Sequence, residues 1–317
     1  MTQHIALGPG AEFDAVRRML TTWGPLARGI GDDAAVIDVP MGSRLLVSTD
    51  SCIEGVHFRR PWLTSEEIGW RATVAALSDL AAMGGDVIGI LLALTLPRSW
   101  HGDLEAIATG VGGACERYGA MIAGGDVTDG DHLALNITAL GHAASPLSRR
   151  GARPGDTLYV TGQLGGPGSA LTAWERGHAP KPAARQRFAR PEARLAAGRW
   201  LAAQGVHAAI DLSDGLAGDL AHLAAASGVR CVLELGAVPC QSGVGPRDAV
   251  ASGEEYELLV AAPTLDCPAF RLAQGGLTLT AVGRVEDARA GGGGQVVVEE
   301  GGQPIARPRS HDHFAER

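Results

Sequence analysis

Lysine is almost missing from this chain of 317 residues: Lys181, in the Pro180-Lys181-Pro182 loop, is the only one, so nearly all of the 27 basic side chains are arginine. That excludes chemistry built on a placed lysine, including P-loop ATPases, protein kinases with a strand lysine, and Schiff-base pyridoxal enzymes. Cysteine is also scarce. Cys52, Cys115, Cys231, Cys240 and Cys267 are odd in number and form no C-x-x-C pair. Neither a disulfide framework nor a cysteine-built metal centre is expected, and a reduced, cytoplasmic setting is. The absence of H-E-x-x-H and G-x-S-x-G removes two hydrolase classes. The longest apolar stretch, the ten residues Val87–Leu96, is about half a membrane span. Met1–Gly10 lacks the basic-then-apolar pattern of a secretory leader. With 35 acidic against 27 basic residues the net charge is −8, a poor field for gripping nucleic acid or an anionic membrane, so neither is expected as a partner.

What is present is globular. Hydrophobic residues make up 45% and charged residues 20%, enough for a packed core, and the length suggests two domains of roughly 150 residues. Ser145–Asp156 (SPLSRRGARPGD) concentrates proline, glycine and arginine near the middle, which places domains at 1–145 and 146–317. Thr64 and Glu67 stand at capping-box spacing ahead of an apolar stripe, predicting a helix over Thr64–Gly84. Val87–Leu96 reads as a central strand, His101–Gly119 as a helix, and Ala120–Ala123 and Leu133–Gly141 as strands; Ala35–Val39 and Arg44–Ser48 suggest a hairpin. In the second half the strands are Thr157–Thr161, Ala208–Leu212, Val229–Leu235, Tyr256–Ala261 and Leu277–Val285, with a hairpin over Gln295–Ile305. Its helices are Gly168–Arg176, Arg190–Gln204 and Leu216–Ala226. The class is α/β of the α+β type, mixed sheets with flanking helices in each half.

Aspartates recur beside apolar runs and small residues: Gly31-Asp32-Asp33, Ser48-Thr49-Asp50, Ser78-Asp79, Gly124-Gly125-Asp126 and Asp211-Leu212-Ser213-Asp214-Gly215. Any one alone reads as a helix cap or turn former. Asp79 lies deep in a predicted helix between apolar neighbours, where an uncompensated carboxylate is costly. With a single lysine in the chain, clustered carboxylates point to a divalent cation, and all-oxygen ligands indicate Mg²⁺, which completes its shell with substrate phosphates. The 45 glycines are about twice the usual share of roughly 7%. Among them, Gly124-Gly125 and the Gly162–Gly168 run (GQLGGPG) are placed where backbone amides could meet phosphate oxygens.

GDDAAV at 31–36, STDSCIEGVHF at 48–58, LSDLAAMGG at 77–85, GGDVT at 124–128, RRGARPGD at 149–156, DLSDGL at 211–216 and SGEEYEL at 252–258 together resemble the thiamine-monophosphate kinase family in order and spacing. The resemblance implies ATP-dependent phosphorylation of thiamine monophosphate to thiamine diphosphate. It implies the two-domain aminoimidazole ribonucleotide synthetase-like fold, a homodimer formed through the N-terminal domains, and nucleotide lying between the N- and C-terminal domains. It places Mg²⁺ on Asp33, Ser48, Thr49, Asp50, Asp79, Asp126, Asp211 and Asp214, with Asp32 a candidate turn cap. It places ATP on Gly125, Asp126, Arg149 and Ser213, and thiamine monophosphate on His57 and Glu254. Where the family carries an aromatic residue that packs on thiamine, this chain has Ser310-His311-Asp312-His313-Phe314, so His311 takes the stacking position. Residues 1–145 are thus expected to hold metal, ATP and the dimer contact, and 146–317 to complete the nucleotide and substrate site. An acceptor phosphate is already anionic, so no nucleophile or general base is nominated. The alternative on this scaffold is ATP activation of an amide oxygen, as in aminoimidazole ribonucleotide synthetase or hydrogenase-maturation proteins.

Overall fold

The computed structural model describes residues 11–28, 30, 37–288, 294–308 and 310. Two compact units form: the first runs to Leu80 and resumes over Gly85–Ala144, and the second comprises Ala81–Gly84 and the chain from Ser145 onward.

The first unit contains α1 (Ala11–Trp23), β1 (Arg44–Ile53), α2 (Ser65–Ala82, whose last residues join the second unit), β2 (Asp86–Thr95), α3 (Leu104–Tyr118), β3 (Met121–Thr128) and β4 (Ala134–Ala143). The sheet order is β1-β4-β2-β3, with only β2 and β3 parallel. The capping box forms as the sequence predicts: the Glu67 amide donates to Thr64 Oγ1 at 3.2 Å, and the Thr64 amide to Glu67 Oε2 at 2.9 Å. The helix α1, which the sequence reading does not anticipate, is tied down by Trp23 Nε1 donating to the Ala108 carbonyl at 2.8 Å.

Ser48-Thr49-Asp50 and Gly124-Gly125-Asp126 lie inside β1 and β3, not after a strand as the sequence suggested. Pairing partners distant in sequence extend both strands: β4 matches β1 residue by residue from Arg44 to Ile53, and β2 carries β3 past its glycines to Thr128. Residues 37–39, in the first arm of the expected hairpin, take no strand structure.

The second unit contains β5 (Thr157–Thr161), α4 (Gly166–Glu175), α5 (Pro182–Ala189), α6 (Leu195–Ala203), β6 (Ala208–Asp211), α7 (Leu216–Ser227), β7 (Arg230–Glu234), α8 (Pro246–Ala251), β8 (Leu258–Ala262), α9 (Cys267–Ala273), β9 (Leu279–Glu286), β10 (Gln295–Glu300) and β11 (Gln303–Ile305). Its seven-stranded sheet has the order β11-β10-β7-β9-β5-β8-β6. The central strands are apolar on both faces, and Leu158, Val160, Ile210, Leu220, Leu223, Leu233, Leu259 and Val282 form one core with α7. The expected helix over Arg190–Gln204 begins only at Leu195, and Arg190 instead closes α5, in keeping with the bias of a residue before proline away from helical backbone. No helix of the described residues is long and apolar enough to cross a membrane.

The helices α2 and α3 meet backbone to backbone at two glycines. A Cβ at Gly110 would lie 1.9 Å from the Glu66 carbonyl oxygen, and one at Gly69 would lie 2.2 Å from that of Ile107. Gly110→Ala is therefore expected to cost about 1–3 kcal/mol through overpacking. Gly113→Ala, with nothing nearer than 3.8 Å, should gain up to about 1 kcal/mol of helix propensity. Urea denaturation of the two variants checks the contrast.

Candidate active site

In the first unit, Ser48 and Asp79 are brought together. The Ser48 hydroxyl donates to Asp79 Oδ2 across the space between β1 and α2, and no described cationic side chain pairs with Asp79. Thr49, the next residue along β1, bonds Thr138 Oγ1 of β4 at 2.9 Å, and Asp50 stands opposite Ile137. Asp126 is exposed on β3 opposite Ala93, at the far edge of the sheet. Three strand spacings, roughly 14 Å, separate its strand from that of Asp50. Gly125 has φ 156°, and a Cβ there would lie 1.9 Å from the Leu92 carbonyl oxygen, so only glycine fits beside Asp126. His57 closes the turn after β1: its Nδ1 accepts the Ile53 amide at 3.1 Å, which puts the proton of the neutral ring on Nε2.

In the second unit, β6 ends at Asp211 and the chain turns through Ser213, Asp214 and Gly215 into α7. A residue the sequence reading did not single out organises this turn. Buried Asp219, in the first turn of α7, accepts the amides of Asp214 at 3.2 Å and Gly215 at 3.1 Å on Oδ2. Burial, then repulsion from Asp211 and Asp214, pushes its carboxyl up to about 8. The legible signal was an aspartate on an otherwise apolar helix start, LAGDL. Arg149 is exposed, its backbone pinned by the Ser227 hydroxyl donating to its carbonyl at 3.0 Å.

Glu254 lies in the segment that enters β8. Its amide donates to the Ser213 carbonyl at 2.7 Å and that of Tyr256 to Leu212 at 2.8 Å, so this segment rests on the aspartate turn. Glu254 (φ 63°) and Tyr256 (φ 53°) are the described non-glycine residues with left-handed backbone. Each costs roughly 1–2 kcal/mol, strain that persists only where the surroundings enforce it. The Tyr256 hydroxyl donates to Glu254 Oε2. Beneath them lie two more carboxylates the sequence reading passed over. Burial would raise Glu257, but Arg194 and Arg187 outweigh it and hold the group below the usual range. Burial pushes Glu255 up to about 7 against the pull of Arg187.

The Gly162–Gly168 run is not a free phosphate cradle. Its amides at Gly162, Leu164, Gly165 and Gly168 donate to Thr278, Pro239, Glu255 and Ser252 within the second unit. Among the described residues no group of three or more His, Cys, Asp and Glu side chains converges as a metal site. Asp32, Asp33 and His311 lie outside the described residues. Ser310, next to His311, reaches α7, where a Cβ at Gly218 would lie 2.7 Å from its side chain.

Comparison with known proteins defines the class first. The N-terminal domain of AIR synthase related proteins matches residues 31–143, and the C-terminal domain of the same proteins matches residues 153–294. The hydrogenase maturation protein HypE in complex with ATP shares this fold, with a TM-score of 0.80 at 20% identity over 97% of this chain and 96% of that one. Closer relatives narrow the class. Thiamine-monophosphate kinase of Salmonella typhimurium is 34% identical over 304 residues, covering 90% of this chain and 92% of that protein. The crystal structure of thiamine-monophosphate kinase from Stenotrophomonas maltophilia K279a matches with a TM-score of 0.78 at 33% identity, covering 96% and 100% of the two chains. AaThiL complexed with AMPPCP and TMP gives a TM-score of 0.75 at 30% identity over 95% of this chain and 96% of that one. The chain belongs to the thiamine-monophosphate kinase family.

The Asp219 geometry carries a stability test. Asp219→Ala strands two amides and is expected to cost about 1–3 kcal/mol, whereas Asp219→Asn keeps an acceptor oxygen and should cost less. Because the carboxyl is raised in the folded state, its contribution is full below the unfolded carboxylate range and is lost as pH rises through about 8. Asp219→Asn should therefore gain on the parent protein between pH 5 and 9, measured by urea denaturation with chelator present.

Proposed function

We propose that this chain transfers the γ-phosphoryl group of ATP to thiamine monophosphate, giving thiamine diphosphate and ADP by direct in-line attack. The observation that carries this reading is the match, over 95% of the chain, to AaThiL complexed with AMPPCP and TMP. The likeness to HypE, at 20% identity, supports the fold alone and lends nothing to amide-oxygen activation.

The difficulty of the reaction is electrostatic. A phosphate monoester carries about −1.5 to −2 charges near neutrality, and each unit pair at 4 Å repels by roughly 4 kcal/mol at an effective dielectric of 20. Asp33, Ser48, Thr49, Asp50, Asp79, Asp126, Asp211 and Asp214 are the residues that would hold Mg²⁺, and what the ion supplies when bound is cancellation of phosphate charge. Two observations support the fit. Asp79 is half-buried with a hydroxyl partner and no described cation. Asp211 and Asp214 press on Asp219 as a concentration of negative charge. No three of these carboxylates converge among the described residues, and Mg²⁺ is an ion that takes few protein oxygens and fills its shell with water and substrate phosphates. Gly125, Asp126, Arg149 and Ser213 bind ATP, while His57, through its Nε2 proton, and Glu254 hold thiamine monophosphate. His311, which lies outside the described residues, is assigned to the thiamine ring on the family resemblance alone. The acceptor oxygen needs no deprotonation, so orientation and charge neutralisation suffice.

The protein works as a homodimer through the first unit. Supporting this, Leu45 and Val47 of β1 are 50% and 58% exposed on one face of the sheet, an apolar stripe that a second copy would cover. A cytoplasmic setting fits the reaction, and none of the five cysteines takes part in a disulfide.

Incubation with Mg–ATP and thiamine monophosphate should yield thiamine diphosphate and ADP in equal amounts, while thiamine and aminoimidazole precursors give none. Asp79→Asn and Asp126→Asn should each lower turnover at least ~100-fold, the scale of removing one preorganised electrostatic group. Near-normal activity in both would defeat the metal assignment. Leu45→Arg combined with Val47→Arg should convert a dimer mass in light scattering to a monomer mass.

A further inference from the structure

Glu255 and Glu257 alternate with Glu254 and Tyr256, and their contacts run the opposite way. Glu255 Oε1 accepts the Gly165 amide at 2.5 Å and the Ser252 hydroxyl at 2.6 Å. Glu257 is gripped by Arg194 through Nε at 2.8 Å and Nη2 at 2.6 Å, and by the Thr161 hydroxyl at 2.6 Å. One guanidinium joins the two: Arg187 Nη2 reaches the Glu255 carbonyl at 3.2 Å, Glu255 Oε2 at 3.4 Å and Glu257 Oε1 at 3.0 Å. Arg187 therefore straps both main chain and side chain of the residue that sits between the two left-handed positions. A backbone so strained keeps its conformation only when surrounding contacts over-determine it, and here the contacts of 255 and 257 add to the amide bonds that Glu254 and Tyr256 make to Ser213 and Leu212.

We propose that Glu255 and Arg187 are positioning residues for Glu254, holding its carboxylate in the orientation that receives thiamine monophosphate. The proposal rests on the reading of Glu254 as a substrate contact. The strap contacts Glu255 and Glu257 and not Ser213, so loosening it should weaken thiamine monophosphate binding more than nucleotide binding and leave the chemical step alone.

The test is a double-mutant cycle of Glu255→Gln and Glu254→Gln, reading KM for each substrate, kcat, thermal melting, and thiamine monophosphate affinity by titration calorimetry. Glu255→Gln keeps an oxygen for Gly165 and Ser252 but loses the charge facing Arg187. It is expected to raise KM and Kd for thiamine monophosphate about tenfold, with kcat and KM for ATP within twofold of the parent. In the Glu254→Gln background the same change should have almost no further effect. Arg187→Lys, which keeps a cation near Glu257 but replaces the guanidinium nitrogen that reaches the Glu255 carbonyl, should reproduce the KM-only change, and it decides the matter if Glu255→Gln does not fold. Additive effects in the cycle, a fall in kcat, or an equal rise in KM for ATP would overturn the positioning role. If Glu254→Gln raises KM and Glu255→Gln does not, only that role is wrong. If Glu254→Gln leaves KM unchanged, the substrate assignment fails and the proposal fails with it.

Discussion

Carboxylates embedded in small, apolar surroundings are the constraint around which this protein is built, and the chain treats them in two ways. Beside Glu255 and Glu257 it places two arginines, with hydroxyl and amide donors meeting the remaining oxygens. Beside Asp79 the described partner is the Ser48 hydroxyl, and around Asp219, besides the amides of Asp214 and Gly215, stand two further aspartates. A buried carboxylate answered by arginine is architecture. The Mg²⁺ sites we propose are among those answered by a hydroxyl or by further carboxylates.

The arginine-bound pair also explains how strained backbone can persist. Breaking a buried ion pair by removing one partner leaves an uncompensated charge, so the strap on the 255–257 segment cannot loosen piecemeal. The same segment donates the amides of Glu254 and Tyr256 to the carbonyls of Ser213 and Leu212, and the Leu212 amide returns to Glu257. The turn carrying Asp211, Ser213 and Asp214 thus shares one hydrogen-bonded frame with Glu254. Asp219 closes that frame from the helix side. The backbones of Ser213 and Glu254, one assigned to nucleotide and the other to substrate, are thus joined directly by a hydrogen bond.

Local features were legible in the sequence and distant pairings were not. The capping box at Thr64 and Glu67 could be read because both partners lie within one helical turn. The strands β1 and β3 were read too short because their extension depends on β4 and β2, whose register no local pattern reveals. The short helices α8 and α9, of 6 and 7 residues, owe their existence to packing rather than to propensity, so no periodic stripe marks them. The aspartate motifs were visible as motifs, yet Asp219 was missed because its role is to hold the Asp214 and Gly215 amides. Glu257 could be noticed, but its partners Arg187 and Arg194 lie 70 and 63 residues away along the chain.

The most direct measurement is a single-turnover rapid-quench experiment with γ-labelled ATP, Mg²⁺ and thiamine monophosphate, following label on thiamine diphosphate, protein and inorganic phosphate. With no side chain serving as nucleophile, label should pass from ATP to the terminal phosphate of thiamine diphosphate in one phase, with none held on the protein. Label trapped on the protein, or released as inorganic phosphate while thiamine monophosphate stays unchanged, would contradict direct transfer.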